Sequence, residues 1–138
     1  MHLTYEPAQK PFMLKAQVES DSRGILFITE GKTLPFDIAR IFTILPKKIG
    51  EIRGEHAHKT CWQYFLSVSG NIEVEIRNVS SEETFQISPG IGIVVPPWNW
   101  SKIVFGSTDS MLNVFASHSY EASDYIFDPP KRTESSVK

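Results

Sequence analysis

Apolar and polar side chains alternate along the chain in short stretches. In Asn71-Ile72-Glu73-Val74-Glu75-Ile76-Arg77, the residues Ile72, Val74 and Ile76 share one face and Glu73, Glu75 and Arg77 the other. A period of two is that of a strand with one buried side. β-Rich runs of similar length lie at Ile25–Thr29, Arg40–Leu45, Trp62–Val68, Thr84–Ile87, Ile91–Val95, Trp100–Phe105 and Met111–Ala116. Turn-forming residues separate them: Asp21-Ser22-Arg23-Gly24, Lys47–Gly50, Ser69-Gly70, Ser88-Pro89-Gly90, Pro96-Pro97 and Thr108-Asp109. Many short strands with frequent turns predict an all-β sandwich or barrel. No segment carries a long stripe at helical spacing, and the one helical candidate, near Tyr120–Tyr125, is short. Neither an internal repeat nor a linker divides the chain. One domain is expected over residues 1–128, followed by a polar, proline-led, flexible tail over 129–138. Pro7 and Pro11 suit an N-terminal arm that reaches toward a partner subunit rather than into the core.

Composition narrows the function. The 138 residues are 41% hydrophobic and 22% charged, which is ordinary for a globular domain and argues against disorder or a fibre. Lys and Arg number 14 against 16 Asp and Glu, a formal charge of -2, so the basic excess of a nucleic-acid binder is missing. The lone cysteine, Cys61, rules out a disulfide framework or a CxxC site and is expected to be a small buried side chain. No apolar run reaches the ~20 residues of a membrane helix, and the first residues lack the layout of a signal peptide, so a cytoplasmic protein without membrane contact is expected.

Candidate chemistry concentrates in Gly50-Glu51-Ile52-Arg53-Gly54-Glu55-His56-Ala57-His58. Two histidines two apart on a strand point to one side, with Ala57 opposite. Two neighbouring imidazoles on a buried face are unfavourable unless hydrogen-bonded or functional; the plainer alternative is an exposed pair. The spacing Gly50, five residues, His56-x-His58, four residues, Gln63, six residues, Gly70 resembles the first motif of the cupins. Gly90, five residues, Pro96 resembles the start of their second motif, with Trp98 and Ser101 in place of its later Gly and His. A metal cupin uses three His and a Glu. Here the set stops at His56 and His58, with a neutral Gln63 and with Ser101 in place of the third His, so no metal is expected. Histidines free of metal can transfer protons near neutral pH.

A closer resemblance runs from about residue 20 to 126. Arg53-Gly54-Glu55-His56-Ala57-His58-Lys59 resembles the RG-x-HAHK/R signature of the WxcM-like, FdtA-type nucleotide-sugar 3,4-ketoisomerases. Asp21-Ser22-Arg23-Gly24 resembles that family's DxRG turn, and Leu34–Ile41 its IPF-x-I-KRV strand. Gln63 follows the HAH as it does in the family. Pro96-Pro97 with Trp100, and Ala116-Ser117 with Tyr120–Ile126, match its PP-x-x-W turn and its LAS…DYI ending.

The resemblance implies a jelly-roll cupin that converts a dTDP-linked 4-keto-6-deoxyhexose to its 3-keto isomer through an enediolate, without cofactor, for the sugars of surface glycans. It implies His56 and His58 as the proton-transfer pair; His58 is expected to be the more sensitive base, while two strand-adjacent imidazoles leave open which one takes the carbon proton. Arg40 or Arg53 would stabilise enediolate or phosphate charge, Gln63 would hold a sugar oxygen or orient a histidine, and Arg23, Trp98 and Ser101 would complete the substrate contacts. Trp98 is chosen over Trp62 and Trp100 because it sits in the loop where the second cupin motif lines the site. The resemblance also implies a homodimer that exchanges N-terminal strands. Phe42, Thr43, Ser101 and Phe127 depart from the family's usual residues. They leave a second expectation standing, a non-catalytic cupin that binds a nucleotide sugar or glycan. Tyr120, Asp124 and Tyr125 suit either a structural corner or a dimer surface.

Overall fold

The computed structural model describes residues 4–131. Two five-stranded antiparallel sheets face each other in a jelly roll. One has the order β1 (Phe12–Lys15), β9 (Ile91–Val95), β6 (Gln63–Ser69), β11 (Met111–Ala116), β4 (Arg40–Ile44). The other has the order β12 (Tyr125–Ile126), β5 (Ile52–His58), β10 (Trp100–Phe105), β7 (Ile72–Arg77), β8 (Glu82–Ile87). A separate hairpin pairs β2 (Gln17–Asp21) with β3 (Gly24–Ile28).

The alternation seen in the sequence decides what each strand buries. Ile72, Val74 and Ile76 of β7 point between the sheets and meet Ile44, Phe65, Ile87, Ile93, Ile103, Phe105, Leu112 and Val114. Residues of opposite parity on the first sheet face outward. Tyr64, Leu66, Val94 and Phe115 are covered there by Leu34, Phe36 and Ile38 of the segment before β4. The central strands β9, β6 and β11 of that sheet are therefore buried on both faces and read as near-continuous apolar runs for that reason, whereas the edge strands β1 and β4 keep an exposed side. A third cluster, Tyr5, Ala57, Trp100 and Ile126, closes the outer face of the second sheet beside β12.

The structure departs from the sequence expectations at two places. Tyr120–Tyr125 makes one 3₁₀ turn, Ala122–Asp124, rather than a short α-helix, and runs straight into β12. From Thr4 onward the N-terminal arm packs on its own chain. The Tyr5 hydroxyl donates to the Asp128 carbonyl at 2.6 Å, the Gln9 carbonyl accepts from Asn99 Nδ2 at 3.0 Å, and β1 pairs with β9. Of the tail, residues 132–138 lie outside the described residues.

Candidate active site

The two sheets do not meet at one end, and a cavity of about 360 Å³ opens there. Its walls are Phe42 and Thr43 from β4, Arg53 and His56 from β5, Gln63 from β6, Ser101 from β10 and Tyr125 from β12.

Arg53 and His56 are three residues apart, a spacing that puts side chains on opposite faces of a regular strand. A β-bulge brings them together. Ser101 pairs with His56 while Lys102 pairs with Gly54, so Glu55 has no partner across the ladder. One extra residue restores the parity, and Arg53 and His56 both face the cavity. The bulge requires left-handed backbone at Gly54 (φ 84°) and at Glu55 (φ 60°). A Cβ at Gly54 would lie 3.0 Å from the Ser101 carbonyl oxygen, so glycine is required there for both conformation and space.

His56 and His58 project to the same side, as the spacing predicts. Their rings meet edge to face, centroids 5.0 Å apart and planes at 83°. They are not equivalent. His56 lines the cavity and is half-buried, whereas His58 is buried and lies behind that wall. The Tyr125 ring touches both, with centroids 4.6 Å from His56 and 4.5 Å from His58.

Behind His58 sits Asp124, which the sequence left between a corner and a surface. Its Oδ1 accepts from the backbone N–H of Lys59 (3.1 Å) and Thr60 (2.8 Å) and from the Thr60 hydroxyl (2.8 Å). Its Oδ2 accepts from the Cys61 N–H (3.3 Å) and from His58 Nδ1 (2.9 Å). Burial pushes the Asp124 carboxyl up, but the hydrogen bonds from Thr60 and His58 outweigh it and hold the group below its usual range. Burial, reinforced by His56 and Arg40, pushes His58 down to about 4 against the pull of Asp124. Burial also lowers His56, with the Gly54 backbone opposing. Both imidazoles are thus neutral, unprotonated bases at neutral pH.

His58, Cys61 and Asp124 bring potential metal-ligand atoms within 4.8 Å of one another. The N–H and O–H donors around the Asp124 carboxylate account for that clustering as a hydrogen-bonded anchor.

The remaining expected residues divide. Gln63 and Ser101 are buried in the cavity wall, and Arg53 lines it from an exposed position. Arg40 stands one strand beyond Ala116 from Gln63, on the same inner face. Its guanidinium lies over the Phe42 ring at 5.1 Å, and its buried Nε has no hydrogen-bond partner among the described residues. Trp98, expected in the pocket, packs instead against Tyr5 on the outer face of the second sheet (centroids 5.8 Å), because a left-handed turn (φ 66°) sends it there. Arg23, expected to touch substrate, is on the β2–β3 turn, 89% exposed and paired with Asp21, outside the cavity. Asp124 and Tyr125 are what residue reasoning missed at the site. The signal available was an acidic residue next to an aromatic one in the last matched segment.

Comparison with known proteins identifies the family. A family model described as FdtA: WxcM-like, C-terminal, matches residues 9–135. The TDP-4-oxo-6-deoxy-alpha-D-glucose-3,4-oxoisomerase of Aneurinibacillus thermoaerophilus is 38% identical over 109 residues, 77% of this chain and 78% of that protein. The crystal structure of a 3,4-ketoisomerase from Helicobacter canadensis superposes with a TM-score of 0.79 at 30% identity, covering 86% of this chain and 90% of the other. A His-to-Asn variant of the 3,4-ketoisomerase QdtA from Thermoanaerobacterium thermosaccharolyticum, in complex with TDP-4-keto-6-deoxyglucose, gives 0.80 at 27% identity over 86% and 87% of the two chains. With its model matched over nearly the whole described chain and with this fold in common, the chain belongs to the FdtA family of WxcM-like, C-terminal domains.

Proposed function

We propose that this chain converts a TDP-linked 4-keto-6-deoxyhexose to its 3-keto isomer by metal-independent proton transfer at His56 and His58. Family membership assigns it to TDP-sugar 3,4-ketoisomerisation in deoxysugar biosynthesis. The observation that carries the residue roles is the pair of neutral imidazoles, one in the cavity wall and one directly behind it.

The hydrogen on C3 is acidified by the adjacent C4 ketone. His56 takes that proton, the electron pair moves to form the enediolate, and a proton returns to C4. Meanwhile the O3 hydroxyl proton is lost and O4 gains one, so atoms balance and nothing is oxidised overall. A base that is neutral at pH 7 and set in a partly dry wall suits the first step. The developing oxyanion is met by the Arg40 guanidinium, and Gln63 and Ser101 fix the sugar oxygens. Arg53, exposed at the mouth, suits the diphosphate. The histidine order is the reverse of the one the sequence suggested. His56 lines the cavity, so it is the carbon base, and His58 serves the oxygens.

The reading includes a homodimer in the cytoplasm. The β2–β3 hairpin leaves Val18, Ile25 and Leu26 between 47% and 63% exposed, an apolar surface that suits a second subunit. Sedimentation at micromolar concentration checks it, and a monomer there counts against it.

The deciding experiment is incubation with TDP-4-keto-6-deoxyglucose, followed by NMR, before and after EDTA. The 3-keto isomer forms at the same rate in both. His56→Asn and His58→Asn each lower kcat by about 10²-fold or more, the usual scale for a lost general base. Binding of substrate without turnover would instead favour a nucleotide-sugar binding protein, which the departures at Phe42, Thr43 and Ser101 keep in view. Loss of activity with EDTA would overturn the metal-free mechanism.

A further inference from the structure

We propose that Asp124 is a positioning residue for the isomerisation. It locks His58 in one tautomer so that a buried nitrogen lone pair is presented to the substrate's α-hydroxyketone. This rests on the reading above that His58 takes part in the proton transfer.

The geometry begins with what a carboxylate can do. Ionised, it only accepts hydrogen bonds, so the 2.9 Å contact between Asp124 Oδ2 and His58 Nδ1 requires the proton on Nδ1. In the neutral ring, Nε2 is then an unprotonated acceptor. Asp124 cannot swing away to release that constraint. Four further donors from Lys59, Thr60 and Cys61 hold both of its oxygens, three of them backbone N–H groups of the turn that follows β5. The carboxylate is therefore fixed by the chain immediately after His58, and the 3₁₀ turn Ala122–Asp124 delivers it there.

His58 Nε2 is buried and has no hydrogen-bond partner among the described residues. Buried polar atoms are nearly always paired, and an exception asks for a reason. A second such atom belongs to this end of the barrel, Arg40 Nε, whose charge is close enough to act on His58. One orphan is an acceptor and the other a donor. An α-hydroxyketone presents the complement, a hydroxyl that donates and a carbonyl oxygen that accepts. Isomerisation moves the hydroxyl proton from one oxygen to its neighbour, so a lone pair held ready directly behind His56 of the wall is what the oxygen half of the reaction uses. With the opposite tautomer Nε2 would carry a hydrogen, leaving two donors and no acceptor.

The test is Asp124→Asn together with the ¹⁵N NMR spectrum of the histidine rings. In the wild-type protein at neutral pH the His58 ring is neutral, with the proton on Nδ1. An asparagine can turn its NH₂ toward Nδ1 and so favour the Nε2–H form. The expected result is a switched tautomer and a kcat lowered by about 10²-fold or more, with KM changed by only a few-fold. A merely structural role would lower the melting temperature and leave kcat per folded molecule and the tautomer alone, and that result overturns the inference. Should the variant not fold, the wild-type spectrum still decides. A His58 ring protonated on Nε2, or on both nitrogens at neutral pH, refutes it. His58→Asn run in parallel keeps the two ideas apart. A full-rate His58→Asn enzyme sinks the proton-transfer reading itself, whereas a slow His58→Asn beside a full-rate Asp124→Asn sinks only the role of Asp124.

Discussion

The two ends of the barrel are built from the same strands and serve opposite purposes. At the closed end one row across the first sheet reads Ile44, which also forms the floor of the cavity, Leu112 and Ser67. Four residues further along each strand, the row at the open end reads Arg40, Ala116 and Gln63. In the second sheet β10 goes from Phe105 at the closed end to Ser101 at the open one, and β5 ends in His56 and His58. Polar groups at the closed end are satisfied locally, as where the Ser67 hydroxyl donates to the Gly70 carbonyl at 2.8 Å. At the open end Arg40 Nε and His58 Nε2 have no partner among the described residues. Strand pairing fixes where a side chain goes, and the residue type at the last inner positions decides whether the space is filled or reactive. One end carries stability and the other leaves bonds unmade that a ligand completes.

The sharpest way to break that division is a crossed pair of substitutions. Leu112→Ala, fully buried at the closed end, should lower stability by about 2–5 kcal/mol, the range for opening a core cavity, and leave kcat per folded molecule unchanged. His56→Asn should do the reverse, with turnover down by about 10²-fold or more and a wild-type melting temperature. Calorimetry beside single-turnover NMR reads both. If Leu112→Ala slowed chemistry as strongly as it lowered stability, the two ends would be one cooperative unit and the division would fail.

The next largest effect is on acid stability, and it belongs to the open end. His58 stands at about 4 in the folded chain against 6.5 for an ordinary histidine. Above pH 6.5 both states are neutral and the group contributes nothing. As the pH falls below 6.5 the unfolded chain takes up the proton first, so stability is lost down to about pH 4 and then levels off with respect to this group. A difference of that size corresponds to about 3 kcal/mol, and His56 adds to it in the same direction. Asp124, held below the carboxylate range, loses its contribution only at still lower pH. Denaturant melts from pH 7 to 4 should show the slope, and His58→Asn should flatten most of it. An unchanged slope in that variant would assign the acid sensitivity elsewhere.

The sequence carried the repetitive part of this molecule and lost the parts that depend on a partner strand. Alternation alone placed β7, and β9, β10 and β11 begin and end where the apolar runs do. The His56–His58 pair was legible for the same reason, as period two survives within one strand. The bulge was not, because an unpaired Glu55 exists only relative to Ser101 and Lys102 across the ladder. Asp124 is 66 residues from His58 in the chain, and no local pattern connects them. Short β1 and β12 are strands only because β9 and β5 lie beside them. Trp98 was drawn into the pocket by its place in a motif, while its left-handed backbone turns the indole outward.

The smallest expected effect tests whether the open end is complete within one chain. Arg23 was expected from its motif to touch substrate, yet it lies on the β2–β3 turn with Asp21 as its partner among the described residues. An exposed ion pair of neighbours in a turn adds little to stability and is screened by salt. Within a single chain Arg23→Ala should therefore leave the melting temperature, kcat and KM where they were. The hairpin that carries it also exposes Ile25 and Leu26, so a second subunit is the one route by which the arginine could reach a cavity. A raised KM with an unchanged kcat in Arg23→Ala would mean that the turn reaches the site of a neighbouring molecule. Dilution then decides between the two arrangements. Affinity in the wild-type enzyme should fall as the subunits separate in sedimentation if the site is shared, and should not depend on protein concentration if Arg40, Arg53, Gln63 and Ser101 of one chain suffice.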